Sequence, residues 1–436
     1  MVPDPRLTPA AVEPFADRFL SVAEGKCARL ARKWMDGRDG MGAPVFTRAG
    51  KYTARGWTEW TQGFLFGGPL LVFDATGDRA SLDAGVRGTL DRMAPHVSHI
   101  GVHDHGFNNV STYGTLRRLI LEGKVADNGG MLAQCELALK VSGAVQASRW
   151  TATTETGGGY VYSFNGPHSL FCDTIRSCRS LVLAHQLGHA LMGENDRPIS
   201  LLDRAVAHIR STLAWNVFYG EGRDVYDVPG RVAHESLFNV NDGKYRCPST
   251  QQGYSPFSTW TRGLAWVLLG CAEQLEWFSR SCVQFEGKAA FLREMERAAR
   301  ATADFYLRHS AADGIPFWDT GAPGLAGVSD YTKPSDPWNG PEPVDSSAAA
   351  ISAQGLIRLG LRWGKKGSPY LRGGLGVART LFSPPYLSEA PRHEGLLLHS
   401  VYHRPRGWDY VPKGRTIPCG ESSLWGDYHA LELAFL

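Results

Sequence analysis

The sequence predicts an all-α fold, an (α/α)6 barrel or six-hairpin toroid, as a single domain over 1–436 with 1–11 an irregular N-terminal lead-in. Three observations predict it. About twelve helical segments follow one another with no composition break or linker between them. Strand-like runs are short and confined to connections. Long connections alternate with short ones, as a toroid with one functional face requires. A linear helical solenoid is the competing arrangement, but the sequence has no repeat period.

The elements follow in order. The first helix is read at 12–35. The next, 58–75, comes after a glycine-rich connection, and 78–96 is opened by Asp78, a residue type that caps helices. Segments 107–123 and 127–148 come next, with Asp127-Asn-Gly-Gly as the turn between them. Then come 172–191, 198–216, 257–279 and 286–309. In the last, Phe291, Met295, Ala298, Thr302 and Phe305 share one face. Arg293, Glu296, Arg297, Arg300 and Asp304 lie opposite, the pattern of an outer helix packed on one side. The segment 344–361 has small residues on every face, which lets inner helices approach closely, and Asp345 reads as its cap. After 369–383, the segment 421–435 carries Ser423-Leu-Trp-Gly-Asp-Tyr-His429 and is expected to close the ring against the first hairpin. Short strand signals occur at Tyr160-Val-Tyr-Ser-Phe164 and Leu396–Tyr402. The long connections 36–57, 149–171, 217–256, 310–343 and 384–420 are expected to gather at one mouth.

Composition narrows the function. A formal charge of +3 over 436 residues, with no lysine or arginine run, argues against nucleic acid as partner. It leaves room for a locally basic cleft that binds an acid. Aromatic residues make up 11%, with 13 Trp, many of them beside Gly, Pro, Ser or Thr. Pyranose rings bury their C–H faces on such flat side chains, although a large aromatic core explains part of the count. The first residues are polar and no 18-residue apolar run occurs, so neither a signal peptide nor a membrane span is expected. Eight scattered cysteines without a C-x-x-C pair fit reduced thiols in a cytoplasmic protein. No cofactor and no metal are expected, and the oligomeric state is read as monomer or homodimer.

Five motifs carry chemistry. Cys247 to Trp266 packs two amides, several hydroxyls, two tryptophans and Arg262 into a loop that runs into an apolar helix. Its rings read either as core or as a cleft for a ring-shaped anionic ligand. His103-Asp104-His105-Gly106-Phe107 precedes a helix. Asp104 is there a helix cap, a carboxylate held for catalysis, or, least favoured, a metal ligand. Asp173, in Leu170-Phe-Cys-Asp-Thr-Ile-Arg, is either a cap or a buried acid whose pKa desolvation would raise. His185-Gln-Leu-Gly-His189 mimics a zinc protease helix, but Gln186 stands where the water-activating Glu belongs. These two His are therefore read as packing residues. His234 lies on the long connection before Arg246 and is read either as structural or as facing the mouth.

Together the motifs resemble the unsaturated glucuronyl hydrolases of glycoside hydrolase family 88. The resemblance rests on Gln251 to Trp266, Trp60-Thr-Gln-Gly-Phe64, His103-Asp-His-Gly-Phe107, the segment around Asp173, Asp345-Ser-Ser-Ala-Ala-Ala-Ile and Trp425-Gly-Asp-Tyr, in family order. It covers roughly 55 to 436 and implies the same (α/α)6 barrel. It also implies an oligosaccharide substrate whose non-reducing end is a 4,5-unsaturated uronic acid. A carboxyl group protonates C4 of the enol ether, water adds at C5, and the resulting hemiketal opens with loss of the glycosidic bond.

By this resemblance Asp173 is the general acid/base and Asp104 the second essential carboxylate. Gln252, Trp260, Arg262, His103 and His234 take substrate-contact positions, and Trp60 and Phe64 form a stacking wall. Arg262 suits the substrate carboxylate because its planar fork pairs bidentately. Departures from the family pattern are His105 in place of an aliphatic residue, Ser177 in place of Asn, Leu264 in place of Gln, and the insert Thr151–Gly159. They leave open a shifted substrate such as a saturated uronide. A β-glucuronidase or uronate lyase on the same scaffold, and a non-catalytic sugar-binding toroid, are the competing readings.

Overall fold

The computed structural model describes residues 1–35, 42–56, 60–328, 330 and 332–436. Its main elements among those residues are twelve helices, α1 to α12. They are α1 (Pro9–Met35), α2 (Gln62–Thr76), α3 (Arg79–Arg92) and α4 (Gly106–Gly114 continuing as Thr115–Leu121). Next are α5 (Met131–Ser148), α6 (Thr174–Ser177 with Arg179–Gln186), α7 (Leu201–Trp215) and α8 (Thr261–Arg280). The last four are α9 (Lys288–Arg308), α10 (Ser346–Trp363), α11 (Ser368–Leu381) and α12 (Leu424–Phe435).

The even-numbered helices form a closed inner ring. Each packs on the next, and α12 returns to α2. The odd-numbered helices form the outer layer. Burial follows this division. In α10 the small residues from Ser346 to Ala350 are all buried, so its neighbours approach closely. In α9 the buried set is Phe291, Met295, Ala298, Ala299, Thr302, Ala303, Phe305 and Tyr306, one face only.

Local chemistry sets the helix starts. Asp78 accepts from the Ala80 and Ser81 N–H groups, and Asp345 from those of Ser347 and Ala348. Helix α1 begins at Pro9, inside the stretch expected to be an irregular lead-in. Helix α2 begins only at Gln62, after Trp60 and Thr61, and the expected start at 58 lies outside the described residues. Helix α6 ends at Gln186, so His189 stands beyond it and the two His of the protease-like motif do not share a helix face. Leu396–Tyr402 forms isolated bridges rather than a strand, Leu387 to Leu397 and Leu398 to Ser422. The Tyr160 signal becomes Gly159–Val161, paired with Trp150–Ala152.

Every long connection runs from an outer helix to the next inner one. All six inner helices therefore present their N-termini at one mouth, and the partial positive ends of their dipoles converge there. A three-stranded antiparallel sheet braces that face, joining Ser169–Phe171 to Glu235–Asn239 and Lys244–Ser249. A hairpin of Ala43–Arg48 and Lys51–Arg55 is tied to the start of α12 by the bridge from Phe46 to Ser423.

Candidate active site

The mouth opens into a cavity of about 350 Å³ lined by both candidate carboxylates and eight Phe, Tyr and Trp rings from the inner helix starts and their loops. Asp104 stands just before α4 and Asp173 just before α6. Neither side chain caps its helix, which removes the capping reading for both. Each side chain is only 11% exposed, and one imidazole stands between them. The His103 Nε2 lies 3.7 Å from Asp104 Oδ1 and 3.3 Å from Asp173 Oδ1. The second is a close electrostatic contact, and Asp173 Oδ1 has no other polar partner among the described residues.

Residues from two helices make this juxtaposition. Ser177 Oγ donates to the His103 carbonyl at 2.7 Å and accepts from the Gly106 N–H at 2.9 Å. Gln146 Nε2, from α5, reaches both the His103 carbonyl and Ser177 Oγ at 3.0 Å. The turn that carries His103 and Asp104 is thereby clamped to the helix that follows Asp173. Gly106 is required here, because a Cβ on it would sit 2.4 Å from the Ser177 carbonyl oxygen. The first turns of α4 are π-helical, and such widened turns are frequent at functional sites.

Electrostatics separates the two carboxyls. Burial raises the Asp104 pKa above the ordinary value, and the opposing charge of His103 does not cancel it. Burial pushes Asp173 the same way, but His103, with the Arg262 cation behind it, holds Asp173 below the ordinary value. The expectation that desolvation makes Asp173 the proton-rich acid is thus corrected: in the free site Asp104 is the harder one to ionise. Burial pulls His103 down, yet the two carboxylates together raise it.

The rings form the walls. Trp60 lines the cavity and stacks on Trp425 at 5.1 Å. Trp260 and Trp266 also line it, so Trp266 belongs to both core and floor. Phe64 is a correction. It is 1% exposed and lies behind Trp60, edge-on at 5.8 Å. Being one turn into α2, it points between inner helices, packed on Phe107, Tyr428 and His429. It supports the wall without being part of it.

His234 is likewise a second layer. Its Nδ1 accepts from the Gln251 and Gln252 N–H groups at 3.0 and 3.3 Å, which fixes the tautomer with the proton on Nε2. Burial lowers its pKa to about 4, so it stays neutral. The Cys172 N–H bonds the His234 carbonyl at 2.9 Å, holding this loop beside Asp173. Gln252 lines the cavity, and its Oε1 accepts from Arg262 Nη2 at 2.9 Å.

Arg262 departs furthest from expectation. It is 1% exposed and lies between the Trp260 and Trp425 rings, 4.6 and 4.8 Å from their centres. Its Nη1 meets Asp345 Oδ2 at 3.2 Å and also donates to the Val401 carbonyl. Its Nη2 donates to the Tyr402 carbonyl at 2.8 Å as well as to Gln252. Both terminal nitrogens of the fork are taken by the protein, so it is not free to clamp a carboxylate bidentately.

Sequence reasoning missed several cavity residues. Phe164 is 58% exposed and stacks over His103 at 5.9 Å. Arg55, His403, Arg406 and Trp408 line the opposite side. Their one sequence signal was their place on long connections. Among the described residues no group of three His, Cys, Asp or Glu side chains is placed to hold a metal ion.

No family model matches the chain. A curated protein of Formosa agariphila named unsaturated glucuronyl hydrolase is 28% identical over 203 residues, 46% of this chain and 42% of that protein's length. The unsaturated glucuronyl hydrolase of Bacillus sp. strain GL1 is 23% identical over 98% of this chain and 92% of its own. Over nearly its whole length this chain is thus similar in sequence to a protein named unsaturated glucuronyl hydrolase. The crystal structure of the Bacillus sp. GL1 enzyme superposes with a TM-score of 0.70 at 21% identity, over 96% of both chains. An unsaturated glucuronyl hydrolase described as specific for heparin gives a TM-score of 0.72 at 21% identity, again over 96% of both. At that identity the superpositions show the shared (α/α)6 toroid.

Proposed function

We propose that this protein is a glycoside hydrolase that removes a 4,5-unsaturated uronic acid from the non-reducing end of an oligosaccharide, by hydrating the C4=C5 double bond. The observation that carries the reading is one imidazole held between two buried carboxyls at the base of a ring-lined cavity. The relationship to proteins named for this activity supports it.

Asp173 takes a proton from His103 Nε2, 3.3 Å away, and delivers it to C4 of the enol ether. Water adds to the opposite end of the double bond at C5, its proton passing to the Asp173–His103 pair. The hemiketal at C5 then opens and releases the remaining sugar. Asp104, the harder of the two acids to ionise, orients the sugar and limits the negative charge of the pair. Trp60 and Trp260 supply flat faces for the pyranose, and Gln252 a polar contact beside them. His234 and Arg262 act through the loops they hold. The inner helix N-termini favour an anionic ligand at this mouth.

The chain forms one catalytic domain in this reading, supported by the return of α12 to α2. The eight free cysteines support a reducing compartment. Among the described residues no helix is long and apolar enough to cross a membrane.

The test is the loss of enol ether absorbance on a panel of unsaturated disaccharides of pectin, glycosaminoglycan, ulvan and gellan type. No loss on any of them, with release of a saturated glucuronide, would establish the β-glucuronidase reading instead.

A further inference from the structure

The end of α5 grips the active-site turn at two points. Gln146 holds the His103 carbonyl, and Arg149, just past the helix, donates to the carbonyl of Ile100. The same guanidinium donates from Nε to the Tyr162 carbonyl at 3.2 Å and from Nη2 to the Ser163 carbonyl at 2.8 Å. Its face lies 4.3 Å from the centre of the Tyr162 ring. Phe164, whose ring stacks over His103, is the next residue along that loop. One side chain therefore ties the turn that leads into His103 to the loop that carries the ring above it. Phe164 is largely exposed, so its place is set by the loop beneath it rather than by its own burial.

Arg149 is only 6% exposed, and among the described residues no carboxylate lies within ion-pair distance of it. Carbonyls satisfy its N–H groups but leave its charge unpaired, an unfavourable way to bury a cation for the sake of packing. Asp104 is the carboxyl whose charge acts on it. In return, the Arg149 charge pulls downward on both Asp104 and His103. The other groups that face His103 are Asp104 beside it, Asp173 before α6, His208 on α7 and His234. Burial lowers His208 to about 3 and His234 to about 4, so both stay neutral. Arg262 stands beyond Asp173. Arg149 is thus the cation that opposes the two carboxylates at His103.

We propose that Arg149 is a positioning residue of this site: it joins the His103 turn and the Phe164 loop into one unit, and its buried charge biases His103 toward giving up its proton. The direction of that proton, toward Asp173, rests on the function proposed above. Three carbonyls on two loops call for a planar fork, which explains why an arginine and not a lysine or an amide stands here.

The experiment follows the His103 imidazole by NMR in protein carrying isotope-labelled histidine, its signal assigned by its loss in His103→Gln. In Arg149→Gln the His103 pKa should rise by at least about 0.5, because the carboxylates are left unopposed. The high-pH limb of the kcat/KM profile on an unsaturated disaccharide should move up with it. Arg149→Lys keeps the charge but not the three-carbonyl grip. Its His103 should titrate within about 0.2 of wild type. Its kcat should fall about tenfold or more, with KM within about twofold, since Arg149 does not touch the sugar. An unchanged His103 titration in Arg149→Gln, or a wild-type kcat in Arg149→Lys, would overturn the proposal. So would failure of both variants to fold, which would make Arg149 a structural residue alone. If the wild type hydrolyses no unsaturated disaccharide, the functional reading fails, and the two titrations still decide whether Arg149 acts on His103.

Discussion

His103 Nε2 stands 3.3 Å from Asp173 Oδ1 and 3.7 Å from Asp104 Oδ1, so a single imidazole sets the protonation of both acids. Removing it as His103→Gln should lower kcat by about a hundredfold, the usual scale for losing a positioned proton-transfer group, with little change in KM. The sign of the pH effect follows from the contacts. His103 holds Asp173 below its ordinary value against burial. Without it burial prevails, and the ionisation of Asp173 in the kcat/KM profile should move to higher pH. A profile identical to wild type would show that His103 does not set this acid.

Asp173→Asn should abolish turnover and leave binding of an unsaturated disaccharide within about tenfold, roughly 1.4 kcal/mol. Single-turnover kinetics and calorimetry on the same preparation separate the two. Near-normal rates in this variant would refute its role as proton donor.

Arg262→Ala is expected to act on stability before affinity. The change leaves Asp345 buried without its cation and frees the Val401 and Tyr402 carbonyls. Breaking a buried pair from one side costs about 3–5 kcal/mol, read as a lower urea midpoint. An unchanged midpoint with only a raised KM would return Arg262 to direct substrate binding.

Gly106→Ala tests the clamp between α4 and α6. The added methyl meets the Ser177 backbone, which cannot rotate away as a side chain does. Overpacking of this kind costs about 1–3 kcal/mol, and kcat should fall as well, because His103 and Asp104 move with the turn. Wild-type melting and activity would show that the turn has room to shift.

Asp427 gives a pH signature in stability. Its carboxyl accepts from Tyr52 OH and from the Leu396 and Leu397 N–H groups, and burial raises its pKa to about 6. A raised carboxyl favours the folded state when protonated, so its contribution is full below about pH 4 and is lost as pH rises through about 6. Asp427→Asn does not ionise. The destabilisation it causes at pH 4–5 should therefore shrink toward pH 8, by up to about 3 kcal/mol. Urea titrations at three pH values would show it, and a constant difference would mean that Asp427 is not the titrating group.

The site was partly legible in the sequence. Asp104, Asp173, Trp60 and Trp260 stand where motif and helix start coincide, and such starts are marked locally by turn and cap chemistry. Arg55, Arg406 and Trp408 carried no such mark. They sit in irregular connections and matter only because the hairpin at 43–55 folds against the loop before α12. Phe64 and Arg262 were misjudged for the same reason, since residue type says what a side chain can bond but not which partner reaches it first.

The sequence by itself determined the helical pattern and the alternation of inner and outer faces, because periodicity and capping act over a few residues. Long connections in front of five of the six inner helices, and so the side of the ring that carries the mouth, follow from the same local signals. Only the tertiary structure decided that His103 lies between two aspartates 69 positions apart in the chain. Ring closure brings those helix starts together, and their proton balance depends on distances and burial that no local stretch encodes. The same closure gave the Arg262 fork to Asp345 and two carbonyls, and brought Arg55 and Arg406 into the cavity lining.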